Sequence, residues 1–479
     1  MNLNQTLQEK YPHLEVSVLK LSEAQKDNES KRIDSEYFKK EYLENEAIIK
    51  IKDNYAFLEN FIVKMTGGAT PLGADYPDKG IPFLRVQNIM QNYFNVEDIV
   101  YISQQDDEYL KRSRLKFNDV LLTITGISYG KSAVVERDLV GANINQHSVK
   151  IEVKNINPYF LSTFLNSKFG KLQSDKKITG VTRPALDYQS IKKFLIPIFP
   201  MEFQLEIQNL VKDSHKALEE SKELYKKAEE TLYLELGLDP KNPLQSLLDS
   251  KTNNPTNSLN ISIRTLKESF LKTGRLDSEY YQSKYEDIEK FIKSYPNGYD
   301  SFSNIINNKD TNFTPKNNEN YSYIELANIG NNGNISEPIS DLGKNLPTRA
   351  RRIVSKGDVI ISSIEGSLSS CALITQEFDK HLVSTGFFVL NSKLLNGETL
   401  LVMFKSQIFQ EYLKKFPSGT ILCAINKEEL SKILIPKIDS TTQEKIAKYI
   451  QESFNLRKKS KQLLDNAKNK VEEQIQGKI

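Results

Sequence analysis

Several short patterns in this sequence have spacings that catalysis uses. Gly126-Ile-Ser-Tyr-Gly130 matches G-x-S-x-G, which exposes a serine nucleophile on a strand-to-helix turn. Here Ser132-Ala-Val-Val135 continues as strand, so the required helix does not follow. Gly130-Lys131-Ser132 imitates the end of a phosphate loop, but three residues separate Gly126 from Gly130 where four are needed. Both patterns therefore read as a β-hairpin turn with polar side chains. Asp138 with Glu152-x-Lys154 has the order of a two-carboxylate nuclease site. Asn157-Pro-Tyr-Phe160 outlines the N-P-P-Y/F tetrapeptide of DNA adenine methyltransferases but lacks its second proline. Asn157 as N-cap and Pro158 at the first helical position account for it fully. His13, His147, His215 and His381 are scattered and form no metal-binding pair. No metal, cofactor or catalytic constellation is expected in this chain.

A duplication changes the problem. Arg32-Ile-Asp-Ser-Glu-Tyr-Phe38 recurs as Arg275-Leu-Asp-Ser-Glu-Tyr-Tyr281, and Val16-Ser-Val18 as Ile261-Ser-Ile263. Thr70-Pro71 matches Thr314-Pro315, and Asn88-Ile89 matches Asn328-Ile329. At an offset of 239, Asp119-Val-Leu-Leu122 pairs with Asp358-Val-Ile-Ile361 and Gly180 with Gly419. The same offset joins Leu195-Ile-Pro197 to Leu434-Ile-Pro436 and Gln204-x-x-Ile207 to Gln443-x-x-Ile446. An ordered series of this kind marks a tandem repeat. It also weighs against the nuclease reading, because the second copy has Asn391 and Lys393 in place of Glu152 and Lys154.

Each copy begins with short β-branched runs separated by turn signals, over residues 12–200 and 259–438, which read as compact α+β domains. Each ends in a stretch free of proline and glycine, assigned as helices over 201–236 and 439–475. Heptad-spaced positions in the first are Ile207, Val211, Ser214, Leu218 and Ser221; in the second they are Ile446, Ile450, Ser453, Ser460 and Leu464. Small residues at matched positions predict that the two helices pack on each other as a coiled coil. Residues 237–258, rich in proline, asparagine and serine, read as a linker.

The chain has 479 residues, 38% of them hydrophobic, so disorder and mini-protein scaffolds are excluded. No run approaches the ~18–20 apolar residues of a membrane span, and the N-terminus lacks the apolar core of a signal peptide. Two cysteines, Cys371 and Cys423, permit at most one disulfide. A cytoplasmic protein without membrane contact is the expectation. The net charge of +3 is uneven: residues 111–200 carry +9 and residues 401–479 carry +6, while residues 1–110 carry −7. Two basic segments on a two-headed scaffold suit a polyanion, and double-stranded DNA is the natural ligand.

Candidate contacts in the first copy are Arg85, Gln87, Asn88, Ser128, Tyr129, Lys131, Asn145, Gln146, His147, Lys176, Lys177, Thr179, Thr182 and Arg183. In the second they are Glu325, Asn328, Ser367, Ser369, Ser370, His381, Ser384, Thr385, Ser418, Thr420 and Lys427. These types read base edges or hold phosphates. Because the loops differ between copies, the two heads are expected to read different sequences in a bipartite, asymmetric site.

The repeated R-[IL]-D-S-E-Y-[FY], the Thr-Pro turn, Ile81-Pro-Phe-Leu-Arg-Val-Gln-Asn-Ile89 and the Leu-Ile-Pro…Gln-x-x-Ile ending resemble the specificity subunits of type I restriction-modification systems. The second copy departs from the pattern at Tyr321-Ser-Tyr-Ile324 and lacks Lys176-Lys177 and Arg183 around Gly419. The resemblance implies two target recognition domains joined by antiparallel helices, with no catalysis in the chain itself. It also implies two methyltransferase subunits as partners, using S-adenosylmethionine, and through them restriction subunits using ATP and Mg. A related defence system with a fused nuclease-methylase partner fits the same pattern. A stand-alone DNA-modifying enzyme and a scaffold without DNA contact are the other readings.

Overall fold

The computed structural model describes residues 3–26, 28, 30–51, 54–71, 73, 76–180, 182–249, 263–419 and 423–477. It divides into two compact units, Met1–Leu218 with Lys458–Ile479, and Glu219–Arg457. Both long helices run through the division, so each unit owns half of each helix.

In the first unit the strands are β1 (Tyr55–Phe57), β2 (Ile62–Gly67), β3 (Ile81–Leu84), β4 (Val100–Ile102), β5 (Val120–Thr123), β6 (Ser132–Val134), β7 (Asn143–Ile144), β8 (Ser148–Val153) and β9 (Leu195–Pro197). The central sheet has the order β2-β8-β5-β6, and a smaller sheet the order β4-β3-β7. β5 and β6 form the hairpin expected around Gly126–Gly130, with Leu121 opposite Ala133. Residues of β5 alternate between two apolar layers, as the two-residue period of a strand dictates. Val120 and Leu122 join Phe160 and Phe164 in one cluster, whereas Leu121 joins Leu84 and Ile144 in another.

The helices of this unit that pack on its sheets include α1 (Lys40–Lys50), α2 (Pro158–Asn166), α3 (Lys168–Lys177) and the first half of α4 (Met201–Glu235). Asn157 caps α2 as expected, its side chain accepting from the Tyr159 and Phe160 N–H groups at 2.9 and 3.3 Å. The Asn157 N–H in turn donates to Gln204 Oε1 at 2.8 Å, which fixes the start of α4 on the domain.

The second unit repeats the plan with β10 (Tyr299–Ser301), β11 (Ile306–Asn308), β12 (Asn320–Ile324), β13 (Ile339–Leu342), β14 (Ala350–Ile353), β15 (Val359–Ser362), β16 (Cys371–Leu373), β17 (Leu382–Ser384), β18 (Phe387–Ser392) and β19 (Leu434–Pro436). Its sheets run β11-β18-β15-β16 and β13-β12-β17-β14. Its helices include α5 (Pro243–Asp249), α6 (Ser283–Lys293), α7 (Gly397–Lys405), α8 (Gln407–Leu413) and the first half of α9 (Ser440–Gln476). Asn396 caps α7 through the Thr399 N–H at 2.8 Å, and Gln443 takes the part of Gln204, accepting the Asn396 N–H at 2.9 Å.

One expectation is corrected. The stretch read as a linker contains α5, and Leu238 and Leu247 are buried in the second unit's core. Gly237, at φ +75°, does end α4, but the chain then folds back onto its own unit. The start of the second copy, Ile261-Ser262, lies outside the described residues.

The motif that first revealed the repeat is a clamp. Arg32 grips Asp34 with two hydrogen bonds (2.8 and 2.6 Å) and donates to the Ile178 carbonyl at the end of α3 at 3.1 Å. Arg275 repeats this with Asp277 (2.8 and 2.6 Å) and with the Phe416 and Pro417 carbonyls at 3.1 and 2.8 Å. A cation on the unpaired carbonyls at a helix C-terminus is favourable on both hydrogen-bonding and dipole grounds. Lys176 joins the clamp by pairing with Glu46 at 2.6 Å and lying over the Tyr37 ring. Its counterpart is Lys415, bonded to Glu289 and lying over Tyr280. The second copy therefore keeps this lysine, which the sequence comparison around Gly419 had missed.

The seam between α4 and α9 is antiparallel in each unit. Ser214 meets Ser460 while Glu206 meets Lys470, and Ser221 meets Ser453 while Glu235 meets Thr442. Ile207 and Val211 are buried in the first unit's core with Ala467 and Val471, and Ile446 and Ile450 in the second unit's core. Leu464 is partly buried against the first unit's core. Leu218 is only half-buried, and its neighbour Ala217 takes the inward position.

Candidate nucleic-acid interface

Backbone hydrogen bonds stitch three loops together at one end of the first unit's central sheet. The Ile124 N–H donates to the His147 carbonyl (2.9 Å), the Leu186 N–H to Ile124 (2.9 Å) and the Gly126 N–H to Pro184 (3.1 Å). These bonds bring the turn after β5, the β7–β8 loop and residues 184–186 side by side. Gly126 and Gly130 sit at φ +75° and +84°, which lets the turn reverse tightly. The end of β2 can approach only because residue 68 is glycine. A Cβ there would lie 2.1 Å from the Ile144 oxygen and 2.3 Å from that of Asn145.

The second unit has the same three stitches, displaced by 239 residues. The Ser363 N–H donates to Gly386 (2.9 Å), the Ile425 N–H to Ser363 (2.8 Å) and the Glu365 N–H to Cys423 (3.0 Å). The scaffold is thus kept while the side chains on it change. Lys131, Gln146 and His147 correspond to Ser370, Thr385 and Gly386.

In the first unit Ser128, Tyr129, Lys131, Gln146, His147, Thr179, Thr182 and Arg183 all lie on the stitched loops and are exposed or half-exposed. Gln146 accepts a hydrogen bond from the Thr70 hydroxyl, and His147 Nδ1 lies 2.5 Å from the Thr125 hydroxyl. Tyr129 donates to Asp175 at 2.7 Å under the Lys171 ammonium. Burial and that hydrogen bond push its phenol pKa above the usual value. The guanidinium of Arg183 has no ion pair among the described residues and faces solvent.

Several candidates serve the fold instead. Asn88 is fully buried, its amide held by the Asn95 carbonyl (2.9 Å) and Asp98 (3.1 Å). Gln87 and Arg85 also end on Asp98, at 2.8 Å to its carboxylate and 2.9 Å to its carbonyl, so all three brace one turn. Asn328 repeats this bracing through the Glu325 N–H (2.8 Å) and the Glu337 carbonyl (2.9 Å). Asn145 is buried and accepts the His147 N–H at 3.2 Å. Lys176 and Lys177 are each only 5% exposed and cannot face a ligand in this conformation.

In the second unit Ser367, Ser369, Ser370, Ser384, Thr385 and Ser418 lie on the stitched loops. Ser367 is tied to the Ser362 hydroxyl at 2.8 Å, and Ser384 accepts the Gly386 N–H at 3.1 Å. Thr420 lies outside the described residues. Lys427 is exposed but paired with Asp310. His381 precedes β17, at the end opposite Ser384-Thr385 and edge-on to Phe378, so it does not join the cluster.

Ile127 was not among the sequence candidates. It stands at the hairpin tip and is 99% exposed. Its apolar type argued for the core, and only its place between two positive-φ glycines could have signalled otherwise. Among the described residues no cluster of three or more His, Cys, Asp or Glu could hold a metal, and no helix is long and apolar enough to cross a membrane.

The chain thus holds two copies of one sheet scaffold, each presenting its own set of loops. Residues 60–230 match the family described as Type I restriction modification DNA specificity domain. The sequence is 30% identical over 175 residues to the Type I restriction enzyme EcoBI specificity subunit of Escherichia coli, covering 35% of this chain and 36% of that protein. It is 30% identical over 159 residues to the HindI specificity subunit of Haemophilus influenzae, covering 32% and 33%. The matched segment thus spans about a third of the length of these relatives. A crystal structure of a type I restriction-modification S subunit from M. genitalium is similar over 88% of this chain and 94% of that one, with 12% identity and a TM-score of 0.42.

Proposed function

We propose that the chain is the specificity subunit of a type I restriction-modification system. It binds double-stranded DNA at a bipartite, asymmetric sequence, one half-site to each copy, and holds two methyltransferase subunits and, through them, restriction subunits. The recognition domains are residues 12–200 and 259–438, and the helices over 201–236 and 439–475 are the spacers. The chain performs no chemistry itself; S-adenosylmethionine, ATP and Mg are used by its partners in the cytoplasm.

The observation that carries this reading is the contrast between identical backbone stitches and changed loop side chains. In the first unit Lys131, Thr179, Thr182 and Arg183 suit phosphates, and Gln146 and His147 suit base edges. The second unit offers hydroxyls instead. The first unit carries a net charge of +4 and the second −1, so electrostatic anchoring falls mainly on the first.

The test is to map N6-methyladenine in the host genome, then exchange residues 259–438 for those of a relative. One half of the methylated motif should change and the other persist. A motif that changes in both halves, or no motif dependent on this chain, refutes the proposal.

A further inference from the structure

An internal repeat lets each exposed side chain be compared with its counterpart on the same scaffold. The turn 124–131 and the turn 363–370 have equal length and matching backbone stitches, so Ile127 corresponds to Gly366. The Ile127 side chain is 99% exposed, and the turn beneath it is braced without it. The Gly130 N–H donates to the Thr123 carbonyl at 2.8 Å, and the Thr123 hydroxyl to the Ser128 carbonyl at 2.6 Å. Tyr129 is tied down to Asp175 at 2.7 Å, under the Lys171 ammonium. A branched aliphatic group is thus held in water on a fixed support, which is unfavourable for surface of this kind.

Two observations identify what it meets. A partner that met both heads alike would ask the same of both copies, whereas the second has glycine at this place. The group that Ile127 meets therefore differs between the two heads. On the loops around it, Lys131 and Arg183 make no ion pair among the described residues, and Gln146 and His147 are the neighbouring polar side chains. These types suit phosphates and base edges. What differs between two half-sites of a double helix is base sequence. The apolar group that base edges present in the major groove is the thymine methyl.

We propose that Ile127 reads the methyl group of a thymine in the half-site bound by the first copy. This rests on the function proposed above and adds to it a specificity-determining residue.

The full chain, in complex with the methyltransferase subunits of its system, would be titrated with duplexes carrying the mapped methylation motif. Each thymine of the first half-site, on either strand, would be replaced singly by deoxyuridine, which removes only the methyl group. One such replacement should weaken wild-type binding about fourfold, the effect of one buried methyl. Ile127→Ala should bind the two duplexes equally, and Ile127→Val should still prefer thymine. Both variants should keep the wild-type far-UV circular dichroism, because the side chain they change touches solvent. Gly366→Ile, whose added Cβ meets nothing within 4 Å, should keep the wild-type response to the first half-site. The methyl contact is overturned if no replacement weakens wild-type binding, or if the weakening persists in Ile127→Ala. A wild-type complex that binds the motif no better than scrambled DNA overturns the functional reading and the methyl contact with it.

Discussion

Ser453→Ala probes the helix seam more sharply than a bulky substitution would. The Ser453 hydroxyl lies 2.8 Å from the Ser221 carbonyl oxygen and 2.9 Å from the Ser221 hydroxyl, and both side chains are fully buried. Ser453 donates to the carbonyl, so Ser221 must give its proton to Ser453. Removing the Ser453 hydroxyl strands a buried donor and should cost ~1–3 kcal/mol. Removing the Ser221 hydroxyl leaves Ser453 its carbonyl acceptor, so the loss should be one net hydrogen bond, ~0.5–1.5 kcal/mol. With both replaced nothing polar is stranded, and the double variant should cost less than the sum of the singles. The first unit provides an internal control. There Ser214 donates to the Ser460 carbonyl at 2.9 Å, with the hydroxyls 2.8 Å apart. Ser214→Ala should therefore cost more than Ser460→Ala. The chain contains no tryptophan, so amide hydrogen exchange over residues 221–235 and 446–457 is the suitable assay, with ~1.4 kcal/mol read as a tenfold faster exchange. Equal or inverted costs within either pair, or an additive double variant, would refute this account of the seam.

Arg275→Ala should release the second clamp, at ~1.5–3 kcal/mol for hydrogen bonds made by a charged group, seen as faster exchange over residues 264–281. Arg275→Lys should not rescue it, because an ammonium cannot span Asp277 and two carbonyls. His215 of α4 sits 3.0 Å from Glu136 and 2.6 Å from the Asn92 carbonyl. Burial lowers its pKa, but the Glu136 hydrogen bond and charge outweigh burial and leave it above 6.5, while the His215 hydrogen bond holds Glu136 below 4.5. The stabilisation from His215 is therefore complete below pH ~6.5 and lost as pH rises through its raised value; that from Glu136 is present above ~4.5 and lost on acidification. The exchange protection that His215→Gln removes from the first unit should be largest near pH 5–6 and vanish in alkali. Arg183→Ala should weaken DNA binding at all sequences and reduce the salt slope by about one unit; an unchanged slope would exclude a phosphate contact.

The repeat, the hairpin around Gly126 and the Asn157 cap were legible because each depends on local residue type: β-branched runs, turn glycines and a capping side chain. The seam serines were legible from spacing, but their pairing was not. Equivalent positions such as Ser214 and Ser453 invite alignment, whereas the antiparallel contact joins Ser214 to Ser460. Regional charge misled for a related reason. Much of the excess in residues 111–200 is neutralised by acids from residues 1–110, with Arg114 on Asp107 and Glu108, Lys176 on Glu46 and Lys193 on Glu59. Neither a linear charge count nor residue type foretells that Asn88 and Lys176 are used inside the fold, because their partners are distant in sequence or lie on an irregular turn. The helix hidden in the proline- and asparagine-rich stretch owes its place to Leu238 and Leu247 finding a core, a tertiary effect that composition does not register.

The two units differ in how the chain supplies them. Glu219–Arg457 is one uninterrupted stretch, whereas Met1–Leu218 needs Lys458–Ile479 to complete it. During synthesis from the N-terminus, at ~5–20 residues per second, the domain that emerges first is therefore the last to be finished. Until then the side of its core formed by Ile207 and Val211 lacks Ala467, Val471 and Ile475. The second unit can close as soon as its own residues are made. A nonsense mutation at Lys458 would thus fall on the first copy, more than two hundred residues upstream, and leave the nearer copy whole.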